Sequence, residues 1–158
     1  MNNDHNTYMQ RAIALADQGM QQGSGGPFGA VIVKDGKIIA EANNQVTSTN
    51  DPTAHAEIAA IRVACQKLGT FQLDGCILYT SCEPCPMCLG AIYWSRFERV
   101  FYAATHKDAA AIGFDDHFIY DEIKKPMENR RIPFEQTERD AAVAVFDKWD
   151  AKGDRIDY

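Results

Sequence analysis

Three cysteines lie within the ten-residue segment 81–90, SCEPCPMCLG. Two of them, Cys85 and Cys88, have the spacing C-x-x-C, which fits a redox dithiol, a structural metal site or part of a catalytic metal site. A redox pair would leave the rest of the chain without a role. A structural zinc site needs four protein ligands, and Cys65 in a predicted helix and Cys76 in a predicted buried strand are poorly placed to complete it.

Another candidate ligand lies upstream in the segment PTAHAEIAAI, where His55 and Glu57 form an H-x-E pattern. His55, Cys85 and Cys88 supply three ligands and leave the fourth position of a tetrahedral zinc ion open for water, as a catalytic zinc site requires. Each half of the pattern is predicted to start a helix, where the helix dipole favours thiolate over thiol. The combination H-x-E…P-C-x-x-C is typical of zinc-dependent deaminases.

Glu57 has a role only if the metal is catalytic. On a regular helix a residue two positions after His55 is rotated by about 200°, so Glu57 is not expected to be a fourth ligand on the same face. If the helix points end-on at the metal, Glu57 can take the proton from metal-activated water and pass it to the ring and the leaving ammonia. A zinc-stabilised binding domain, the non-enzyme alternative, has no use for this carboxylate.

The apolar periodicity predicts the elements that position these residues. The first helix is expected to begin with Thr7 as its cap and to end at Gly23. The segment FGAVIVKDGKIIAEANN predicts a hairpin whose two-residue turn is Asp35–Gly36. A helix is then predicted from about Pro52 to Leu68, with Asp51 as its cap and a glycine directly after it.

The second half of the chain continues this alternation. CILYTS and RVFYAA are predicted strands, with a helix over Met87–Ser95 between them, and an amphipathic helix is predicted around Trp149. Strands that alternate with helices after a hairpin predict a mixed sheet with helices on both faces.

The composition indicates one soluble domain. At 158 residues, 46% hydrophobic and 24% charged, the chain fits a single domain over 1–158. No apolar run approaches the ~20 residues of a membrane span, and no signal peptide is recognised, so a cytoplasmic protein without a membrane partner is expected. Five cysteines fit a metal site in a reducing compartment better than a disulfide framework.

The sequence resembles the cytidine deaminase-like superfamily, and within it the bacterial guanine deaminases, along nearly its whole length. The matching segments are GGPFGAVIVKDG, NDPTAHAEIAAIR, LYTSCEPCPMCLGAIYW, VFYAA and GFDDHFIY. GFDDHFIY is the discriminating one, because cytosine, adenosine and guanine enzymes share the zinc motif.

The resemblance implies a three-layer α/β/α sandwich around a mixed five-stranded sheet, one zinc ion per chain, and hydrolysis of guanine to xanthine and ammonia. His55, Cys85 and Cys88 would be the ligands and Glu57 the proton shuttle. It also implies a homodimer in which the C-terminal segment, about 138–158, is exchanged between subunits.

The resemblance further implies a substrate site. Asp116 would hold the amino edge of guanine, Asn44 would bind the ring, and Phe28 and Trp94 would line the pocket, with Tyr158 arriving from the partner chain. Guanine is attacked at C2, where N1–H and the amino group are both donors, so an acceptor-only carboxylate suits it. Without the resemblance, the Asp and Asn are typical of turns and the two aromatic residues of a core.

Three rival functions share part of the pattern. A tRNA-editing adenosine deaminase would need a basic path for the RNA backbone, whereas residues 115–158 carry 12 Asp and Glu against 8 Lys and Arg. The net charge of −6 likewise disfavours a nucleic-acid partner. Only the predicted pocket residues argue against a cytosine deaminase. Only the presence of Glu57 argues against a zinc-stabilised binding domain.

Overall fold

The structure is a computed structural model that describes residues 2–158, with side chains from Asp4 onward. The chain divides into two compact units, one that ends at His117 and one from Phe118 to Tyr158. None of the described helices combines the length and the apolar character needed to cross a membrane. The elements are α1 Asn2–Gln21, β1 Gly29–Lys34, β2 Lys37–Asn43, α2 Val46–Thr49, α3 Ala56–Leu68, β3 Cys76–Cys82, α4 Pro86–Ser95, β4 Arg99–Ala104, α5 His106–Ala111, α6 His117–Lys124, a 3-10 turn Met127–Asn129 and α7 Arg139–Asp150.

The sheet is mixed, with strand order β2-β1-β3-β4. β1 is antiparallel to both β2 and β3, whereas β3 and β4 are parallel. The α/β class with a mixed sheet is confirmed, but the five strands implied by the resemblance are wrong, because the described sheet has four. After β4 the chain forms helices, and the irregular stretch 130–138 contains Pro133, which has no N–H for a strand ladder.

Helices cover both faces of the sheet, as predicted. Successive strand residues point to opposite faces, so Ile32 and Leu78 pack with alanines of α3, while Val31 and Tyr79 pack with Ala12 of α1. The alanines of α3 in this core are Ala56, Ala59, Ala60 and Ala64. Their small side chains allow α3 to lie close to the sheet, and this fixes the position of its N-terminus.

Two of the predicted helix starts are wrong. α1 begins by Asn2 and not at Thr7, because tertiary contacts stabilise the earlier turn: His5 Nδ1 lies 2.6 Å from the Tyr79 hydroxyl, and its ring lies 4.5 Å from that of Phe101. α3 begins at Ala56 and not at Pro52. The hairpin turn is confirmed, since Asp35 and Gly36 both have the positive φ, 49° and 71°, of a two-residue turn.

One edge of the sheet collects the chain segments that carry the candidate site. β2, β3 and β4 all end at this edge, and β1, which runs the opposite way, begins there. The residues that follow or precede these strand ends are Phe28 before β1, Asn44 after β2, Glu83 after β3 and Thr105 after β4. Connections at this edge are therefore close in space although they are distant in sequence.

Candidate metal centre and active site

His55 stands immediately before α3 as its N-cap residue, with an extended backbone of φ −66° and ψ 158°. The predicted cap, Asp51, instead forms a turn of its own, since its Oδ1 accepts hydrogen bonds from the backbone N–H of Thr53 at 2.8 Å and from its hydroxyl at 2.7 Å. This turn uses the residues that would otherwise form the first helical turn. Gly69, in the left-handed conformation at φ 65°, ends the helix as predicted.

Cys85 occupies the same position on α4 that His55 occupies on α3. It is the N-cap residue, with φ −67° and ψ 168°, and Pro86 follows at the first helical position, where the missing N–H of proline has no cost. The Cys85 Sγ accepts from the backbone N–H of Cys88 at 3.5 Å. Two helix N-termini therefore meet at one point, and both present candidate ligands there.

The separations among the three candidate ligands fit tetrahedral zinc. His55 Nδ1 lies 3.5 Å from Cys85 Sγ and 3.6 Å from Cys88 Sγ, and the three ligand atoms all lie within 4.8 Å of one another. Sulfur and nitrogen ligands at the usual zinc distances, seen at a tetrahedral angle, are about 3.6 Å apart. The ring nitrogen that faces the metal position is Nδ1.

The pKa values of the two thiols are shifted in opposite directions. The pKa of Cys85 is lowered to about 4, chiefly because the Cys88 thiol donates a hydrogen bond to it, with a further contribution from His55. The pKa of Cys88 is raised for the converse reason, and its burial adds to the effect. One thiolate is thus already favoured, and the thiolate is the form that binds metal.

Glu57 lies beside this cluster and is buried, with 6% of its surface exposed. Because His55 is the cap and not part of the helix, the rotation expected within a regular helix does not separate the two side chains. Glu57 Oε2 lies 3.5 Å from Cys88 Sγ, and the same sulfur lies 3.6 Å from His55 Nδ1. Burial raises the pKa of the Glu57 carboxyl, which favours its carrying a proton.

Asn44 is buried at the end of β2, and its carbonyl oxygen is engaged. Oδ1 accepts from the backbone N–H of Gly26 at 3.3 Å and of Val46 at 3.1 Å. Gly25 packs against it so closely that an added Cβ would lie 2.2 Å from Oδ1. The glycine-rich segment before β1 therefore fixes the orientation of the amide, and the amide nitrogen is the group that can donate to a ligand.

Asp116 is half-buried, whereas Asp115 is exposed and accepts from the backbone N–H of His117 at 2.9 Å. Burial raises the pKa of the Asp116 carboxyl, and the neighbouring charge of Cys85 adds to this. Of the two adjacent aspartates, Asp115 forms the turn, and the role of Asp116 in the site stays a prediction.

Phe28 is held by Phe114, the residue before the two aspartates. The rings meet edge-to-face with centroids 5.0 Å apart and an interplanar angle of 89°. Phe28 also lines a cavity of about 430 Å³ together with Ser81 and Cys82. The described lining of this cavity contains none of the three candidate ligands, so it is a space separate from the metal centre.

Trp94 and Tyr158 are the other two residues predicted for the pocket. Trp94 is at the C-terminal end of α4, six residues after Cys88 and thus about 9 Å along the helix axis, and it is 70% exposed. Tyr158 belongs to the unit that begins at Phe118 and is 71% exposed. The structure brings His55, Cys85, Cys88 and Glu57 together, and the roles of Trp94 and Tyr158 stay predictions.

Sequence reasoning missed several residues around the site. Thr80, on β3, lies 3.3 Å from Glu57 through its hydroxyl, and its only signal in the sequence is one polar residue on the apolar face of a buried strand. Glu83 lies in the loop 83–85, which ends in the candidate ligand Cys85. Its Oε2 accepts from the backbone N–H of His106 at 3.0 Å and lies 2.6 Å from His106 Nδ1. This pair connects the loop 83–85 to the start of α5, and no local pattern could have indicated it.

Residues 2–104 match the family described as the cytidine and deoxycytidylate deaminase zinc-binding region. The chain belongs to this deaminase family. The predicted resemblance is confirmed, and the family together with the His–Cys–Cys cluster indicates zinc as the metal.

Relatives of this deaminase cover most of its length. It is 61% identical to the guanine deaminase of Bacillus subtilis (strain 168) over 155 residues. This alignment covers 98% of this chain and 99% of that protein. The X-ray structure of B. subtilis guanine deaminase matches with a TM-score of 0.95 and 60% identity, over 100% of this chain and 99% of that chain. A tRNA-specific adenosine deaminase of Aquifex aeolicus (strain VF5) is 38% identical over 81% of this chain and 82% of that protein.

Removal of one sulfur ligand should abolish zinc binding by this deaminase. In Cys85→Ser the zinc that remains after gel filtration, measured by elemental mass spectrometry, is expected to fall to background, because a neutral hydroxyl replaces a thiolate. Cys65→Ser is the matched control, since Cys65 is a free cysteine outside the cluster. Full zinc content in Cys85→Ser would contradict the assignment.

Proposed function

We propose that this deaminase hydrolyses guanine to xanthine and ammonia at the His55–Cys85–Cys88 centre. The observation that favours guanine over another nucleobase as the substrate is the 61% identity to a guanine deaminase along 99% of that protein's length. The match to the tRNA-specific adenosine deaminase is weaker and leaves part of the chain uncovered. The five cysteines are free, which fits the reducing cytoplasm as the proposed location.

His55 Nδ1 and the thiolates of Cys85 and Cys88 would hold one zinc ion per chain. Bound there, the ion would lower the pKa of a water molecule towards neutrality and so provide the nucleophile. The chain contributes the geometry: two helix caps hold the three ligand atoms at the separations that a tetrahedral ion needs.

Glu57 moves the protons. Its carboxylate takes one proton from the attacking water and delivers it to ring nitrogen N3, since N1 already carries a hydrogen. A second proton, from the hydroxyl formed at C2, passes to the amino group, which leaves as ammonia while the C2 carbonyl of xanthine forms. The raised pKa of this buried carboxyl suits a group that must both accept and release a proton near neutral pH. Water and guanine thereby give xanthine and ammonia with no other reactant.

Asn44 and Asp116 supply complementary polarity to the base. The amide nitrogen of Asn44 donates to a ring acceptor, because its oxygen is already engaged by backbone N–H groups. The carboxylate of Asp116 accepts from the amino group and N1–H of guanine. Adenine and cytosine present a bare nitrogen beside their amino group, which a carboxylate would repel. Phe28 and Trp94 are assigned to the pocket walls on the family resemblance.

A substrate panel tests the reaction. Zinc-loaded protein is expected to release ammonia from guanine, with xanthine formed, and not from cytosine, adenine or an adenosine-containing tRNA stem-loop. Glu57→Gln should keep its zinc and lose about 10²–10⁴-fold in kcat, because the proton transfer is removed while the ligands stay. Ammonia release from one of the other substrates and not from guanine would overturn the assignment of guanine as the substrate. An unchanged kcat in Glu57→Gln would show that this residue does not transfer the protons.

Adjacent aspartates give a matched test of the substrate contact. Asp116→Asn should lower kcat/KM for guanine by about 10-fold to 100-fold, because an amide presents a donor to N1–H and loses a charge-assisted hydrogen bond. Asp115→Asn changes the same atoms one residue away, on a side chain that caps the next turn, and should stay near the wild-type value. Equal effects of the two changes would refute the specific role of Asp116.

We further propose that the protein is a homodimer in which the C-terminal segment, about 138–158, is exchanged between subunits, so that Tyr158 reaches the partner's site. Two features of the separate units support it. β4 ends the described sheet with an unpaired edge and leaves Tyr102 53% exposed. No residue of 118–158 is buried. The large apolar side chains left exposed there are Phe118, Ile123, Met127, Ile132, Phe134, Val145, Phe146, Trp149 and Ile156.

Subunit complementation tests the exchange. Glu57→Gln and Tyr158→Ala chains, co-expressed with different affinity tags and purified through both, should form heterodimers with about half of the wild-type activity, because one of two sites then has both residues. Each homodimer should be impaired. If Tyr158 served its own chain, both heterodimer sites would be defective and no recovery would occur. Failure to copurify the two tagged chains would refute the dimer itself.

A further inference from the structure

Thr80 is a buried polar residue that the mechanism above does not use. It lies on β3 with 1% of its surface exposed, on the strand face that also carries Leu78 and packs against α3. Its Oγ1 lies 3.3 Å from Glu57 Oε1 and 3.0 Å from the backbone oxygen of Cys82. A threonine hydroxyl has one proton, so the two acceptors compete for it.

The hydroxyl has a cost at this position that an apolar side chain would not have. The surrounding face of the sheet is apolar, and valine has nearly the same shape as threonine without the hydroxyl. A buried hydroxyl is tolerated only where it is hydrogen-bonded. Its two partners here are the carboxyl of Glu57, which belongs to the candidate active site, and the backbone carbonyl of Cys82, which ends β3.

The two oxygens of Glu57 have different partners. Oε2 faces Cys88 Sγ, and Oε1 faces Thr80. Together these contacts set the rotation of the carboxyl about its last bond, so that one oxygen is held by the strand while the other lies at the metal ligands. A terminal carboxyl torsion is broad and soft without such contacts.

We propose that Thr80 is a positioning residue for Glu57, which keeps the carboxyl in one orientation throughout the proton transfers of the proposed function. Towards the carboxylate, the Thr80 hydroxyl donates its proton to Oε1. With Oε1 held by the strand, Oε2 is the oxygen that stays at the metal ligands, where it faces Cys88 Sγ.

The test compares Thr80→Val, which keeps the shape, with Thr80→Ser, which keeps the hydroxyl. Thr80→Val should lower kcat by about tenfold, the loss of one hydrogen bond in the transition state, with KM for guanine within about threefold of wild type. Thr80→Ser should restore most of kcat. All rates are divided by the zinc content, and Thr80→Ala replaces Thr80→Val if the valine variant does not fold.

Ser95→Ala is the control for the loss of a buried hydroxyl in general. Ser95 is also buried, but its hydroxyl donates to the backbone oxygen of Ala91 within α4, at 2.7 Å. This variant is expected to keep kcat. An unchanged kcat in Thr80→Val, or an equal loss in Thr80→Ser, would overturn the proposal, as would a loss that appears in KM and not in kcat.

A second readout does not depend on turnover. The side-chain carboxyl carbon of Glu57, assigned in carbon NMR spectra as the signal absent from Glu57→Gln, should shift in Thr80→Val and return in Thr80→Ser. If wild type were inactive on guanine, the proposed function would fail while this signal still reported the contact. An unshifted signal in Thr80→Val would overturn the Thr80 proposal even if guanine were the substrate.

Discussion

The meeting of two helix N-termini at one edge of the sheet is the constraint on which the rest of this site depends. His55 and Cys85 are each the cap residue of a helix, in an extended conformation that turns the side chain away from the helix axis. α3 packs on the sheet through its alanines, and α4, which three residues separate from the end of β3, contacts α3, so the ligand separations follow from these packing contacts. A shift of either helix by 1 Å would spoil ligand distances that zinc requires within about 0.2 Å.

Electrostatics explains why such a cluster belongs to a metal site. The Cys88 thiol lies 3.5 Å from an oxygen of the buried Glu57 carboxyl and within 4.8 Å of the Cys85 thiol, and these three groups cannot all be ionised without a counter-charge. The structure shows the expected compromise, with the pKa of Cys85 lowered and those of Cys88 and Glu57 raised. A dication relieves this repulsion, and the two helix dipoles contribute in the same direction.

The sequence predicted local features well and tertiary ones poorly. Period-2 and period-3.6 patterns located four strands and the main helices, and the motif spacing indicated the three candidate ligands that the structure brings together. The first helix began earlier than predicted because His5 packs on a strand residue 74 positions away, which no window on the sequence can register. The fifth strand came from the resemblance alone. Thr80 and the Glu83–His106 pair depend on strand register and on loops that meet only in the folded chain.

The matched deaminase family ends at Ala104, while Asp116 lies twelve residues beyond it. Under the proposed function, the metal ligands and Glu57 lie within the matched stretch, whereas Asp116, the carboxylate proposed to select guanine, lies beyond it. The ring contact between Phe28 and Phe114 joins the two stretches. Substitutions around Asp116 would then alter which ring is accepted and leave the ligands and Glu57 in place.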